Sequence, residues 1–180
     1  MISRFIFTKI FKWQLEGQFP SEPRMVIAVA PHTHWMDFIL AVLVRHFLKE
    51  PIHFLGKKEL FNPLTNKLFR ALGGMPVDRS TNKNTVAQAV TYFKQNKVFL
   101  LALAPEGTRK KVTGFKSGFY HIAHNAQVPI FPVAFDFEHK KMIFHPLFYT
   151  TGNKEKDIRQ IEAIFVGVKG KIPENSVFKS

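Results

Sequence analysis

Cysteine is absent from this chain of 180 residues, which excludes disulfide bonds, thiolate metal sites and a cysteine nucleophile. Long apolar runs are also missing, since no segment approaches the roughly 18 apolar residues that a membrane-spanning helix needs. The N-terminus lacks the pattern of a cleavable signal peptide, because Arg4, Lys9 and Lys12 interrupt its apolar residues. From these absences we expect a protein that does not cross a membrane.

Acidic residues are scarce: the chain has 13 of them against 26 lysines and arginines, for a net charge of +13. A charge of this size indicates an anionic partner, which leaves nucleic acid, an anionic membrane surface and negatively charged substrates as candidates. The 20 phenylalanines favour lipid, because phenylalanine offers apolar surface without a polar group. The remaining composition, 46% hydrophobic and 22% charged, is ordinary for a globular domain.

Buried strands and helical patterns alternate along the chain. Residues 25–30 form an apolar run without polar alternation, which predicts a strand covered on both faces. Similar runs at 98–104 and 130–135 predict further strands, the second of them an edge or bulged strand because it contains Pro132. Helical periodicity follows at 37–48, 85–95, 115–125 and 157–165. The pattern predicts an α/β fold, a single domain with a central, mostly parallel or mixed sheet flanked by helices.

The chain divides into three predicted segments. Residues 1–16 are expected to hold an N-terminal helix over 2–15, which either lies in a membrane interface or packs on the domain. Its apolar stripe consists of Ile2, Phe5, Ile6, Ile10 and Trp13. Residues 17–170 form the main domain, and residues 171–180 are expected to be a loose basic tail.

A histidine and a carboxylate are predicted to meet where the first buried strand ends. Pro31 stops that strand, His32 follows it, and Asp37 begins the next helical pattern. Ligands bind at the carboxyl ends of strands in open α/β sheets, so this turn is the candidate active site. Histidine is the side chain suited to accepting a proton near neutral pH. We interpret His32 as a general base and Asp37 as the carboxylate that orients it.

Three other stretches carry reactive or anion-binding groups at the ends of apolar runs. These three stretches are 74–79, which ends in Asp-Arg, 104–109, which contains Pro-Glu-Gly-Thr-Arg, and 128–133, which is Val-Pro-Ile-Phe-Pro-Val; with 31–37 they make four. This ordered set resembles the four blocks of the glycerolipid acyltransferase family, which includes the lysophosphatidic acid acyltransferases. A single His-x4-Asp pattern is weak, whereas all four blocks in order, spanning about 100 residues, are specific. Residues 17–170 would then be the acyltransferase domain.

The resemblance implies transfer of a fatty acyl group from acyl-CoA or acyl carrier protein to a hydroxyl of a lysophospholipid or related lipid. His32 and Asp37 would act as base and orienter, and the substrate's own hydroxyl would replace the serine of a catalytic triad. The chain contains no Gly-x-Ser-x-Gly motif, which agrees with direct transfer without an acyl-enzyme. No cofactor is implied besides the thioester donor, and no metal ion.

Cationic side chains supply the predicted site for a phosphorylated acceptor. Arg79 and Arg109 provide guanidinium groups, for which surface salt bridges are the alternative role. The resemblance assigns the loop that contains Glu106, Gly107 and Thr108 to the same glycerol phosphate site. In that loop the glycine would let backbone N–H groups approach an anion. A further phosphate candidate, Lys116, lies just beyond the loop.

The acceptor remains open, because Pro31 and His34 stand where family members that form phosphatidic acid usually carry Asn and Ser. One alternative is a metal-dependent hydrolase that uses His32, His34 and Asp37, although a further ligand is needed. Another is a basic, non-enzymatic protein that binds nucleic acid or membrane, although no nucleic-acid recognition motif occurs. We expect peripheral association with an anionic membrane surface on the cytoplasmic side and no nucleic-acid partner; the oligomeric state stays open.

Overall fold

The computed structural model describes residues 2–78 and 82–177, within which seven strands form one sheet. The strands are β1 (Gln14–Glu16), β2 (Arg24–Ala30), β3 (Ile52–Lys57), β4 (Gly74–Val77), β5 (Phe99–Leu103), β6 (Ile130–Asp136) and β7 (Lys141–Phe144). The α-helices are α1 (Ile2–Phe5), α2 (Met36–Leu48), α3 (Asn66–Ala71), α4 (Asn82–Gln95), α5 (Gly118–Ala126) and α6 (Lys154–Ile164). A π-helix covers Ile6–Ile10, and 3₁₀ helices cover Lys58–Leu60 and Pro173–Asn175.

The strand order is β1-β7-β6-β2-β5-β3-β4, with β2 near the centre. Parallel pairing joins β6, β2, β5, β3 and β4. On the other side β7 pairs antiparallel with β6 and parallel with β1. The predicted α/β fold with a mostly parallel sheet is confirmed. Because these five parallel strands run in one direction, the loops that follow them meet at one edge of the sheet.

The uninterrupted apolar run of β2 reflects burial on both faces. Val26 and Ala28 face a core cluster that includes residues of α4, α5 and α6. Met25 and Ile27 face a second cluster that includes residues of α2 and the N-terminal segment. Alternate residues of a strand point to opposite faces, so both sets have to be apolar.

Pro132 does not mark an edge strand, because β6 lies between β7 and β2. The pairing beside it is irregular, since Val133 pairs with Phe144 and Ile130 with Phe148, which leaves three residues opposite two. Its carbonyl accepts the His145 N–H at 3.1 Å. The backbone nitrogen and oxygen of a strand residue point to the same neighbouring strand. The nitrogen of Pro132, which carries no hydrogen, therefore points to the β7 side, just beyond the end of β7 at Phe144. An internal strand tolerates the proline because the pairing with β2 does not need that N–H.

The N-terminal helix is shorter than predicted and oriented differently. It ends at Ile10, and Gln14–Glu16 leave it to pair with β7. Trp13 is buried, with its ring centroid 4.7 Å from that of Phe137, which favours leaving the helix before this residue. Phe7, outside the predicted stripe, is fully buried, while Ile2, Phe5 and Ile10 are exposed. Three of the five stripe residues therefore face away from the core, whereas Trp13 belongs to it.

The C-terminal segment is not loose over 171–177. Ile172 donates its backbone N–H to Thr33 Oγ1 at 3.1 Å, and Ser176 is buried. Residues 178–180 of the predicted tail lie outside the described residues. In the described part of the chain, no helix combines the length and the apolar character needed to cross a bilayer.

Candidate active site

The turn between β2 and α2 brings His32 and Asp37 into contact, as the sequence predicts. β2 ends at Ala30, a cis peptide bond joins Ala30 to Pro31, and Asp37 lies in the first turn of α2. The Nδ1 atom of His32 lies 3.0 Å from Oδ2 of Asp37. The carboxylate is buried, whereas 23% of the His32 side chain is exposed. This arrangement holds the ring by one nitrogen and leaves Nε2 for other partners.

Asp37 also fixes the backbone of the turn. Its Oδ2 accepts the N–H groups of Thr33 at 2.9 Å and of His34 at 3.0 Å. The other oxygen, Oδ1, is buried and has no hydrogen-bond partner within residues 2–78 and 82–177. One carboxylate oxygen thus orients both the imidazole and the loop that carries it.

Glu106 ties the loop after β5 to the same turn. Its carboxylate is buried, and both oxygens lie 3.0 Å from the backbone nitrogen of His32, which donates to them. Burial raises the pKa of the Glu106 carboxyl to about 7, although the bond from the His32 N–H lowers it in part. Sequence reasoning grouped Glu106 with the substrate-binding loop and missed this contact, which joins residues 74 positions apart.

Of the predicted cations, Arg109 lies beside His32, and Lys116 lies against the 105–109 loop. Arg109 donates from Nε to Nε2 of His32 at 3.3 Å. Gly107 has φ +67°, and a Cβ atom built on it would lie 3.2 Å from Nζ of Lys116. Only glycine adopts this φ freely, so the loop can turn tightly against the lysine. The Thr108 hydroxyl accepts the Lys110 N–H at 3.2 Å, which braces the turn.

Arg79, the remaining predicted cation, lies outside the described residues. Its neighbour Val77 ends β4, whose carboxyl end belongs to the same edge of the sheet as those of β2 and β5. The role of Arg79 therefore stays a prediction from the sequence.

The structure does not bring the other histidines into a metal site. His34 Nδ1 accepts the Met36 N–H at 3.2 Å, and His124 Nδ1 lies 3.0 Å from Oγ1 of Thr150. Over 2–78 and 82–177, no three His, Asp or Glu side chains are placed to hold a metal ion together. The hydrolase alternative needs a third ligand that this part of the chain does not supply.

The family model and the relatives that match this chain are all acyltransferases. Residues 12–136 match the family model described as Acyltransferase. The 1-acyl-sn-glycerol-3-phosphate acyltransferase of Escherichia coli (strain K12) is 32% identical over 114 residues, which cover 59% of this chain and 45% of that protein. The probable 1-acyl-sn-glycerol-3-phosphate acyltransferase of Mycoplasma genitalium is 29% identical over 153 residues, covering 81% of this chain and 56% of that protein. The chain spans about half the length of these curated relatives.

A solved structure shares the fold. The 1-acyl-sn-glycerophosphate (LPA) acyltransferase PlsC from Thermotoga maritima superposes with a TM-score of 0.61 at 20% sequence identity. The match covers 90% of this chain and 73% of that chain. At this identity the likeness supports the architecture described above and nothing finer.

Proposed function

Because the chain belongs to the Acyltransferase family, we propose that it transfers a fatty acyl group from acyl-CoA or acyl carrier protein to a lysophospholipid hydroxyl. The observation that carries the proposal is the His32–Asp37 pair, with Arg109 Nε 3.3 Å from Nε2, the ring nitrogen that Asp37 does not contact. The names of the E. coli and M. genitalium relatives, a 1-acyl-sn-glycerol-3-phosphate acyltransferase and a probable one, favour a 1-acylglycerol 3-phosphate as the acceptor.

The proposed reaction uses His32 Nε2 as the base, once the guanidinium of Arg109, which donates to this atom in the structure, has turned to the acceptor's phosphate. As the acceptor oxygen attacks the thioester carbonyl carbon, its proton moves to Nε2 and a tetrahedral intermediate forms. The intermediate collapses, the C–S bond breaks, and the departing sulfur takes the proton back from the imidazolium. Asp37, 3.0 Å from Nδ1, stabilises the positive ring between these two steps. Such base catalysis is typically worth about 10²–10⁴-fold in rate.

The acceptor's phosphate is proposed to bind at the 105–109 loop. Arg109 reaches the base nitrogen itself, so an anion held by its guanidinium would lie close to the attacking hydroxyl. Lys116 packs against Gly107 on the same loop and adds a second positive charge. We assign Arg79 to the same phosphate-binding group as Arg109 and Lys116, named here the phosphate clamp, because it follows β4 in the sequence. Glu106 supports the clamp indirectly, by holding the His32 backbone.

We further propose that the protein works on the cytoplasmic face of a membrane, bound peripherally. The side chains of Ile2, Phe5 and Ile10 are 78%, 59% and 61% exposed, and Arg4 and Lys9 lie between them. Exposed apolar side chains interleaved with cations suit an anionic lipid surface. This location would give the site access to lipid acceptors.

The test is an acyl-transfer assay with purified protein, in which thiol release and the acylated product are both measured. Acyl-CoA and acyl carrier protein donors are each combined with lysophosphatidic acid, zwitterionic lysophosphatidylcholine and a simple long-chain alcohol. We expect product only with lysolipid acceptors, and fastest with the phosphate monoester. Thiol release that is equal with and without every acceptor would refute the proposal.

A further inference from the structure

The C-terminal segment 169–176, named here the C-terminal strap, reaches the turn that carries His32. It is fixed at one end to β6, because the N–H of Phe137, which follows β6, donates to the carbonyl of Lys169 at 2.9 Å. β6 is the direct neighbour of β2 in the sheet. The strap therefore arrives at the strand edge where β2 ends and the candidate site begins.

Thr33 is the residue of the turn that the strap holds. Its side chain is buried, its Oγ1 accepts the Ile172 N–H at 3.1 Å, and it packs against Gly170. A Cβ atom built on Gly170 would lie 2.6 Å from Thr33 Oγ1. The strap closes on itself through the Gly170 N–H, which donates to Ser176 Oγ at 2.9 Å. A methyl group on Gly170 would therefore displace Thr33 or the strap.

We infer that Thr33 is a positioning residue, through which the C-terminal strap sets the geometry of the His32–Asp37 pair; this inference rests on the function proposed above. The backbone N–H of Thr33 donates to Asp37 Oδ2, the same oxygen that contacts His32 Nδ1. Thr33 thus binds the strap with its side chain and the carboxylate with its backbone. A displacement of Thr33 moves the oxygen that orients the base.

The first experiment compares Thr33→Val with Thr33→Ser. Valine has nearly the same size but offers no acceptor to the Ile172 N–H, whereas serine keeps the hydroxyl. We expect Thr33→Val to lower kcat about 10-fold or more, with KM for both substrates within about 2-fold, because misplacing a reacting group acts on turnover. Thr33→Ser should stay within about 3-fold of the wild type. A kcat for Thr33→Val within about 2-fold of the wild type, or equal losses in both variants, would overturn the inference.

A second pair of variants perturbs the strap instead of the turn. Gly170→Ala forces the added methyl group into Thr33, whereas Gly118→Ala adds a methyl group with no atom within 4 Å. The readout is the proton resonance of the His32 Nδ1–H, assigned by its loss in His32→Ala and shifted downfield by its bond to Asp37. We expect this resonance to move or broaden in Thr33→Val and Gly170→Ala and to be unchanged in Gly118→Ala.

Turnover and the His32 Nδ1–H resonance distinguish a failure of the positioning inference from a failure of the proposed function. If the wild type transfers no acyl group, the proposed function fails, and the resonance still decides whether the strap positions the pair. An unchanged resonance in both Thr33→Val and Gly170→Ala overturns the positioning role, whatever the turnover.

Discussion

Arg109 Nε lies 3.3 Å from Nε2 of His32, the ring nitrogen opposite the one that contacts Asp37. The imidazole thus sits between a carboxylate on one side and a guanidinium on the other. An anion bound by the guanidinium would come within reach of the base. The position of Arg109 therefore connects His32, the proposed base, with the proposed preference for a phosphorylated acceptor.

Arg109→Ala should chiefly weaken acceptor binding. A hydrogen bond to a charged group is worth about 1.5–3 kcal/mol, so we expect KM for the phosphorylated acceptor to rise about 10- to 100-fold. Steady-state kinetics with varied acceptor measures this, and Lys111→Ala, an exposed cation two residues on, is the control. An unchanged acceptor KM in Arg109→Ala would remove the clamp assignment.

Asp37→Asn should lower turnover while the protein still folds. The amide oxygen can replace Oδ2 as an acceptor, but the NH₂ group then occupies the buried position of Oδ1, at a stability cost of about 1–3 kcal/mol. We expect the loss in kcat to exceed what the fall in unfolding free energy explains, because the negative charge beside the imidazole is gone. Kinetics and chemical denaturation of the same preparation measure both quantities.

Asp157→Asn is the matched control. Asp157 is also a buried aspartate, and it accepts the Thr151 N–H and hydroxyl at 2.7 Å each and the Tyr120 hydroxyl at 3.0 Å. None of these partners is assigned to catalysis or belongs to the C-terminal strap. Equal losses of turnover in the two variants would show that Asp37 acts only on stability.

Glu106 should make stability depend on pH. Burial raises its pKa to about 7 from the ordinary 4.5, so between these values the unfolded chain releases a proton that the folded protein keeps. The unfolding free energy should therefore fall as pH rises from about 4.5 to about 7, by about 3 kcal/mol in total at 1.36 kcal/mol per pKa unit. Glu106→Gln should lack this component.

Chemical denaturation across this pH range compares the wild type with Glu106→Gln. Glu162→Gln is the control, because Glu162 also accepts a backbone N–H, from Phe115 at 2.7 Å. It should retain the pH dependence of the wild type. Parallel curves for the wild type and Glu106→Gln would contradict the assignment.

The exposed N-terminal stripe should determine membrane binding. Fully burying an apolar side chain of this size is worth about 1.5–3 kcal/mol, so the double variant Phe5→Glu, Ile10→Glu should bind anionic vesicles at least about 10-fold more weakly. Co-sedimentation with phosphatidylglycerol vesicles measures this binding. Val166→Glu, at another exposed apolar position, is the control. Equal binding by the double variant and the wild type would exclude the N-terminal surface.

The sequence predicts those parts of the structure that depend on patterns within a short stretch of the chain. The apolar run of β2 and the spacing of His32 and Asp37 lie within about a dozen consecutive residues, and both appear as expected. Helical periodicity left open which side of the N-terminal helix meets the domain, because the burial of Phe7 and Trp13 depends on contacts with α2 and β6.

Contacts between residues far apart in the chain could not be predicted, because they produce no local sequence pattern. Glu106 meets His32 across 74 positions, and Ile172 meets Thr33 across 139. Each contact is made by one backbone N–H group, and the order of the strands creates it by placing the ends of β5 and β6 on either side of β2. Such supports of the site become visible only once the sheet topology is known.

The most direct test of the central claim is the turnover of His32→Ala with acyl-CoA and lysophosphatidic acid. The variant should keep the circular dichroism spectrum of the wild type, because the turn is held by backbone N–H groups that donate to Asp37 and Glu106. If Nε2 of His32 is the base, kcat falls about 10²–10⁴-fold. Turnover in the folded variant equal to that of the wild type would contradict the account.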